Sequence, residues 1–244
     1  MQQTKIYQVS DCHVTDNDVH RLIDCLHHIE RAQDCDVLLL TGDIVCNPTL
    51  ELYLCVVKAF EDIISCEHVF ALAGNHDDIH LMKQAFKGSK IKITDKFNMG
   101  TYQLVFINSS DKPISSEATL GAGRVSKKEL SKLKKMTRHK PSIVIIHHPI
   151  VEVGALWFKN IAIENRAEVL KSINNKVFSI LCGHGHAFMV NDFHGGKQFM
   201  APSTSYGFDH HVDEYKTTDD YGLLCIKIDD TLTSIKATPI YLNK

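Results

Sequence analysis

Three times in the first 86 residues a short apolar run gives way to a polar turn and then to a helical pattern, and this succession constrains the fold more than any other feature. Ile6 to Val9 leads through Ser10-Asp11 to Val19, Leu22, Ile23, Leu26 and Ile29 at helical spacing. Val37 to Leu40 leads through Thr41-Gly42-Asp43 to a helix over Leu50 to Ile64, with Pro48-Thr49 as its start signal. Val69 to Leu72 leads through Gly74-Asn75-His76-Asp77 to a helix over Asp78 to Phe86. Strands separated in this way by helices are parallel and joined by right-handed crossovers. Every polar turn then falls at the carboxyl edge of one sheet, where open α/β sheets bind ligands.

Beyond Ile93 the pattern changes. Tyr102 to Asn108 reads as a strand, Lys112 to Arg124 as a long loop, Ser126 to Met136 as an amphipathic helix, and Ile143 to Ile146 as a buried strand ending in His147-His148-Pro149. An irregular stretch with Trp157 and Phe158, read as packing aromatics, precedes a helix from about Ile163 to Ile173 and a strand from Phe178 to Cys182, which ends in Gly183-His184-Gly185-His186. Runs at Phe199 to Ala201, Leu223 to Ile228 and Ser234 to Ala237 have the close spacing of strands and are expected to form or complete a second sheet. With no linker or low-complexity segment, 1–244 reads as a single domain, and 44% hydrophobic residues suffice for its core.

A net charge of -2 and scattered Lys and Arg argue against a nucleic-acid backbone or an anionic membrane as partner. The one basic cluster, Lys127 to Lys140, is interleaved with Leu130, Leu133 and Met136 and reads as the solvated side of a helix. No apolar stretch is long enough to span a bilayer, and Met1 to Lys5 runs into a strand rather than a signal peptide, so the expected location is cytoplasmic. The eight cysteines (12, 25, 35, 46, 55, 66, 182 and 225) form no C-x-x-C pair and read mostly as small buried thiols; Cys12 and Cys182, beside the candidate site, are left open as redox-sensitive positions.

Asp11, His13, Asp43, Asn75, His147, His184 and His186 all fall within a few residues of a strand end. Fifteen histidines would give about one His-x-His pair by chance, so the placement carries the signal, not the pair. Seven oxygen and nitrogen ligands without thiolate are too many for one tetrahedral zinc and suit two transition-metal ions sharing a carboxylate. Two such ions clamp a phosphoryl group for in-line displacement, which removes the need for a nucleophilic Ser or Cys. In the Gly74 turn, Asn75 offers an amide oxygen to a hard cation, His76 an imidazole able to donate a proton, and Asp77 a carboxylate able to hold an imidazole in place.

The ordered set D-x-H, G-D, G-N-H-D, H-H-P and G-H-x-H, at Asp11/His13, Gly42-Asp43, Gly74 to Asp77, His147 to Pro149 and Gly183 to His186, resembles the calcineurin-like metallophosphoesterase superfamily. Within it the chain is similar to the bacterial class III 3′,5′-cyclic AMP phosphodiesterases, through Leu181-Cys182-Gly183-His184 followed by Ala201-Pro202-Ser203-Thr204, and Gly123-Arg124-Val125-Ser126 ahead of a helix. The resemblance spans residues 6 to about 208. It implies an α/β fold, a four-layer α/β/β/α sandwich of two mixed sheets. It implies one metal on Asp11, His13, Asp43 and His186 and a second on Asp43, Asn75, His147 and His184, Asp43 bridging, with iron and manganese ahead of zinc and cobalt. His76 would stabilise the transition state or protonate the leaving oxygen and Asp77 would orient it; His147 rather than His148 would be the ligand, leaving His148, Ser203 and Thr204 as candidate pocket residues.

The implied activity is hydrolysis of a phosphodiester by metal-activated hydroxide, in 3′,5′-cyclic AMP or another cyclic nucleotide, by a monomer or homodimer acting on a small-molecule phosphoester. The alternative is a phosphomonoesterase or glycerophosphodiesterase of the same superfamily. A nuclease is disfavoured by the lack of a basic groove, and a non-catalytic binding platform by the complete ligand set. Two departures stand out: Ile44-Val45-Cys46 follows Gly42-Asp43 without an acidic neighbour, and the stretch after Ala237 is short, so a C-terminal extension present in some relatives is expected to be missing or minimal. His210, His211, Asp213 and Glu214 read as a polar surface loop rather than a further metal cluster.

Overall fold

In the computed structural model, β1 (Gln3–Val9), β2 (Val37–Thr41) and β3 (Val69–Leu72) are parallel, with α1 (His20–Ala32) and α2 (Leu50–Ile63) as crossovers and α3 (Ile79–Ala85) after β3. It describes residues 3–16, 18–115, 119, 121–229, 231 and 234–243; Met1 and Gln2 of the N-terminal reading, and 116–118 and 120 of the loop read over Lys112 to Arg124, lie outside these. β3, and β2 up to Leu40, are apolar throughout because both of their faces are covered. Leu38, Leu40, Val69 and Ala71 face the helices, while Val37, Leu39, Phe70 and Leu72 face a second sheet. Helix starts follow their caps: the Thr49, Asp78 and Ser126 side chains accept from Leu52, from His80 and Leu81, and from Glu129 backbone N–H groups respectively.

The chain continues through β4 (Ile91–Lys92), β5 (Lys96–Asn98), β6 (Gln103–Ile107), α4 (Lys127–Met136), β7 (Ser142–Ile146), α5 (Leu156–Lys159), α6 (Arg166–Ser172) and β8 (Val177–Cys182). It ends with β9 (Met189–Phe193), β10 (Gly196–Met200), the short pair β11 (Gly207–Phe208) and β12 (Thr217–Thr218), β13 (Gly222–Asp229) and β14 (Ile235–Tyr241). Among the described residues, one sheet has the order β14-β13-β1-β2-β3-β4 and the other β5-β6-β7-β8-β10-β9, each mixing parallel and antiparallel pairs. On the outer face of the second sheet, Val105, Val144 and Ile180 pack with Leu133 of α4 and Val169 of α6. The layers are therefore helices, sheet, sheet and helices, the expected sandwich.

Two boundaries depart from the sequence reading. The tail does not build the second sheet alone: β10 joins it, but β13 and β14 pair antiparallel beside β1 and close the first. Leu223 and Cys225 face the helices and Leu224, Ile226 and Ile228 the other sheet, so the segment is apolar on both faces, and periodicity does not say which sheet receives it. Helix α6 starts after Ile163 because Glu164 N donates to Gly123 O at 2.8 Å, holding that stretch in a bridge. Five cysteines are buried as expected, but Cys35 and Cys46 are half-buried and Cys55 is exposed on α2. On α4 the solvated basic face is present, with Lys132 paired to Glu129 and Asp95. Among the described residues no helix is long and apolar enough to cross a membrane.

Candidate metal centre

The polar turns after β1, β2 and β3 meet those after β7 and β8 at one edge of the sandwich. Their backbones are laced together: Asp11 N donates to Gly42 O at 3.0 Å, His13 N to Asp43 O at 2.9 Å and Gly183 N to His147 O at 2.9 Å. Asp11, His13, Asp43, His184 and His186 adopt φ of 53°, 42°, 49°, 70° and 49°. This left-handed region costs about 1–2 kcal/mol for a residue with a Cβ. Such strain gathers where a fold aims side chains at one point. Gly74 is required by close approach, since a Cβ there would lie 2.2 Å from Asp43 Oδ1 and 2.4 Å from its backbone nitrogen.

The side chains converge in two overlapping groups. His13 Nε2 and His186 Nε2 are 3.1 Å apart, and His186 Nε2 is 3.4 Å from Asp11 Oδ1. Asp43 Oδ1 accepts from His76 N at 2.9 Å, leaving Oδ2 at 3.4 Å from His147 Nε2 and 3.9 Å from His13 Nε2. Asn75 Oδ1 lies 3.2 Å from His147 Nε2. Behind the ligands, His147 Nδ1 and His186 Nδ1 each donate at 2.8 Å, to Thr41 O and Tyr206 O, and His184 Nε2 donates at 2.9 Å to Ile161 O. In its neutral form each of these imidazoles has one N–H, so these bonds leave its inward nitrogen free to meet a cation, or at His147 a proton shared with Asp43.

Facing lone pairs and buried carboxylates repel one another unless a cation sits among them, and the donor set fits transition-metal ions. The electrostatics agree. Burial pushes the Asp11 and Asp43 carboxyls up, but His186 beside the first and His147 beside the second outweigh it and hold both below the usual range. Burial, reinforced by His186 and His147 respectively, lowers His13 to about 4 and His184 to about 3, so both are neutral donors. Burial also opposes charge on His147, but Asp43 overcomes it and raises that imidazole to about 9.

The remaining sequence candidates divide. His76 is exposed at the mouth, edge-on to His13, with Nδ1 3.2 Å from Cys46 O. The orienting role expected of Asp77 therefore falls to the Cys46 carbonyl. Asp77 instead accepts from Gly74 N at 2.9 Å, Ile44 N at 3.1 Å and Tyr53 Oη at 2.9 Å, tying the Asp43 turn to the Asn75 turn. Enclosure, and then the Asp43 charge, raise it to about 6. His148 bonds through both ring nitrogens, Nδ1 with Ser109 Oγ at 2.8 Å and Nε2 with Gly121 O at 3.1 Å, and it also lies in one cluster with His147 and His184. Ser203 and Thr204 stay out of the pocket: Ser203 Oγ donates to Asp11 O at 2.8 Å and Thr204 Oγ1 to Gly222 O at 3.2 Å, bracing the Asp11 turn from behind.

Above the cluster opens a cavity of about 790 Å³ whose walls include Ser110, Lys112, Tyr206, Phe208 and Tyr215. Lys112, Phe208 and Tyr215 were not singled out from the sequence; the long loop around Lys112 was the available signal. Phe208 stacks on His186 at 4.0 Å, and Trp157 packs against Phe208 and His210, the packing role expected of it. His210 Nε2 donates to Gly185 O at 2.7 Å, while His211, Asp213 and Glu214 are exposed, the surface loop expected there.

Residues 4–212 match the calcineurin-like phosphoesterase family. A relative named "Probable cyclic nucleotide phosphodiesterase" from Ruthia magnifica subsp. Calyptogena magnifica is 25% identical over 229 residues, 87% of this chain and 91% of its own. A 3′,5′-cyclic-nucleotide phosphodiesterase from Nostoc sp. is 23% identical over 247 residues, 94% of this chain and 90% of its own. Among solved structures, a dimetal phosphatase from Danio rerio superposes with a TM-score of 0.64 at 13% identity, over 97% of this chain and 98% of that one. At that identity the likeness concerns the fold.

Proposed function

The chain belongs to the calcineurin-like phosphoesterase family and is a hydrolase that uses divalent metal ions, and from this we propose that it is a dinuclear-metal phosphodiesterase acting on a 3′,5′-cyclic nucleotide. The observation that carries the dinuclear reading is Asp43 Oδ2, which faces His147 on one side and His13 on the other. Asp11, His13, Asp43 and His186 would hold one ion, and Asp43, Asn75, His147 and His184 the second. When bound, such ions acidify a water and offset charge on phosphate oxygens.

The chain's own groups do the rest. His76, its ring fixed by the Cys46 carbonyl, presents Nε2 to the mouth and in protonated form delivers a proton to the leaving ribose oxygen. Lys112 at the cavity wall draws in an anionic ester. Asp77, through Gly74 and Ile44, keeps Asn75 and Asp43 in register. The cavity is of a size that takes a nucleotide, and the names of the relatives favour a cyclic one.

The test is turnover of 3′,5′-cyclic AMP, 2′,3′-cyclic AMP, bis(p-nitrophenyl) phosphate and p-nitrophenyl phosphate by manganese- or iron-loaded protein, with His184→Ala as control. Preference for the 3′,5′-cyclic diester, lost in the variant, supports the reading. Turnover of the model esters without the cyclic nucleotide points to a phosphomonoesterase or another phosphodiesterase with the same centre.

A further inference from the structure

At the edge of the first sheet opposite the metal centre, two cysteines come together. β2 and β3 pair in parallel from Leu38 and Val69 onward, and Cys35 and Cys66 each stand three residues before that first pair. They therefore stand at matching positions in the two connections that lead into neighbouring strands. Neighbouring strands are about 4.8 Å apart, within the Cα separation of about 4.4–6.8 Å that a disulfide spans. Both residues line one surface cavity of about 350 Å³ between the α1–β2 and α2–β3 connections, Cys35 half-buried and Cys66 buried beside it. Each thiol acts on the ionisation of the other, Cys35 lowering Cys66 below its ordinary value and Cys66 raising Cys35, while Cys66 Sγ also lies 3.8 Å from His68 O. Cys12 and Cys182, the positions left open by the sequence, are fully enclosed, and burial pushes both thiols well up. They are the inert pair.

We propose that Cys35 and Cys66 form a reversible dithiol–disulfide site whose oxidant is a small neutral hydroperoxide. The thiolate of one cysteine attacks the O–O bond of hydrogen peroxide: an S–O bond forms, the O–O bond breaks, and the departing hydroxide takes a proton as water. The sulfur of the other cysteine then attacks the oxidised sulfur; the S–S bond forms, the S–O bond breaks, and hydroxide leaves with the second thiol's proton as a second water. Two electrons pass from the sulfurs to one peroxide, and a thiol reductant reverses the change. Glu30, Asp34, Asp36 and Glu67 line the same cavity and repel anionic disulfides such as oxidised glutathione, which selects the neutral oxidant. The bridge closes the chain around α2 and raises the unfolding midpoint by about 5 °C or more.

The experiment exposes manganese-loaded protein to stoichiometric hydrogen peroxide, quenches with catalase, and maps peptides without reduction. The expected product is one species lacking two hydrogens, with Cys35 linked to Cys66, a higher unfolding midpoint, and reversal by dithiothreitol; Cys35→Ser or Cys66→Ser leaves the remaining cysteine as a dimedone-reactive sulfenic acid. Thiol loss mapping to Cys46 or Cys55, or Cys66 oxidised to sulfinic acid without a bridge in the native protein, overturns the proposal. So does an equal rate with oxidised glutathione, which removes the neutral-oxidant selection. None of these readouts depends on phosphoester turnover.

Discussion

The Tyr53 hydroxyl, fully buried on α2, donates to the Asp77 carboxylate at 2.9 Å and accepts from Asp78 N at 3.0 Å. A crossover helix is thereby bonded to the turn that presents Asn75 and His76. Tyr53→Phe leaves the Asp78 N–H and one carboxylate lone pair unpaired, at a cost of about 1–3 kcal/mol. The expected outcome is a lower urea midpoint with an unchanged m-value, together with faster loss of metal on dilution.

Asn75 and His76 are adjacent, but only Asn75 points its oxygen at His147, whereas His76 stands at the mouth. Asn75→Ala and His76→Ala are both expected to lower turnover, the latter by about 10²–10⁴-fold as for loss of a general acid. Metal content measured after gel filtration separates them: it falls in Asn75→Ala and is retained in His76→Ala. Equal metal loss in both would remove the separate role of His76.

At Gly74 an added methyl meets Asp43 from two sides, and the backbone nitrogen among those contacts does not yield as a flexible side chain would. Gly74→Ala is expected to displace Asp43, cost about 1–3 kcal/mol as overpacking does, and abolish turnover. Calorimetry and metal analysis of the variant check both.

Metal-free protein is expected to be most stable near pH 6.5. His147, raised to about 9 in the fold chiefly by Asp43 against the opposing effect of burial, contributes stability that is complete below its unfolded value of about 6.5 and disappears as pH rises through 9. His13 and His184, lowered to about 4 and about 3 by burial, act on the other side: stability falls as pH drops from about 6.5 toward those values, because only the unfolded chain takes up the proton. A metal ion held by His147 would take the place of its proton, so metal-loaded protein is expected to show a flatter alkaline limb. Thermal midpoints across pH 4–9, with and without chelator, decide the point.

Much of the candidate centre was legible because its signal is local. An apolar run ends, a polar turn follows, and Asp11, His13, Asp43, Asn75, His147, His184 and His186 carry ligand chemistry whatever surrounds them. The assignments that failed to carry over concern hydrogen bonds across the chain. Asp77 adjoins His76 in sequence, yet its carboxylate bonds to Tyr53, Gly74 and Ile44. Ser203 and Thr204 follow a pocket-like motif, yet brace backbone behind Asp11 and at Gly222.

The sequence by itself determined the order of strands and helices and the identity of residues at the strand ends, since periodicity and side-chain chemistry are properties of neighbours along the chain. Only the tertiary structure decided that β13 and β14 close the first sheet, which imidazole nitrogens face inward, that His148 bonds to Ser109 and Gly121, and that Cys35 and Cys66 line one cavity. Each of these depends on partners brought from distant positions by packing, and on backbone angles that no local preference would select.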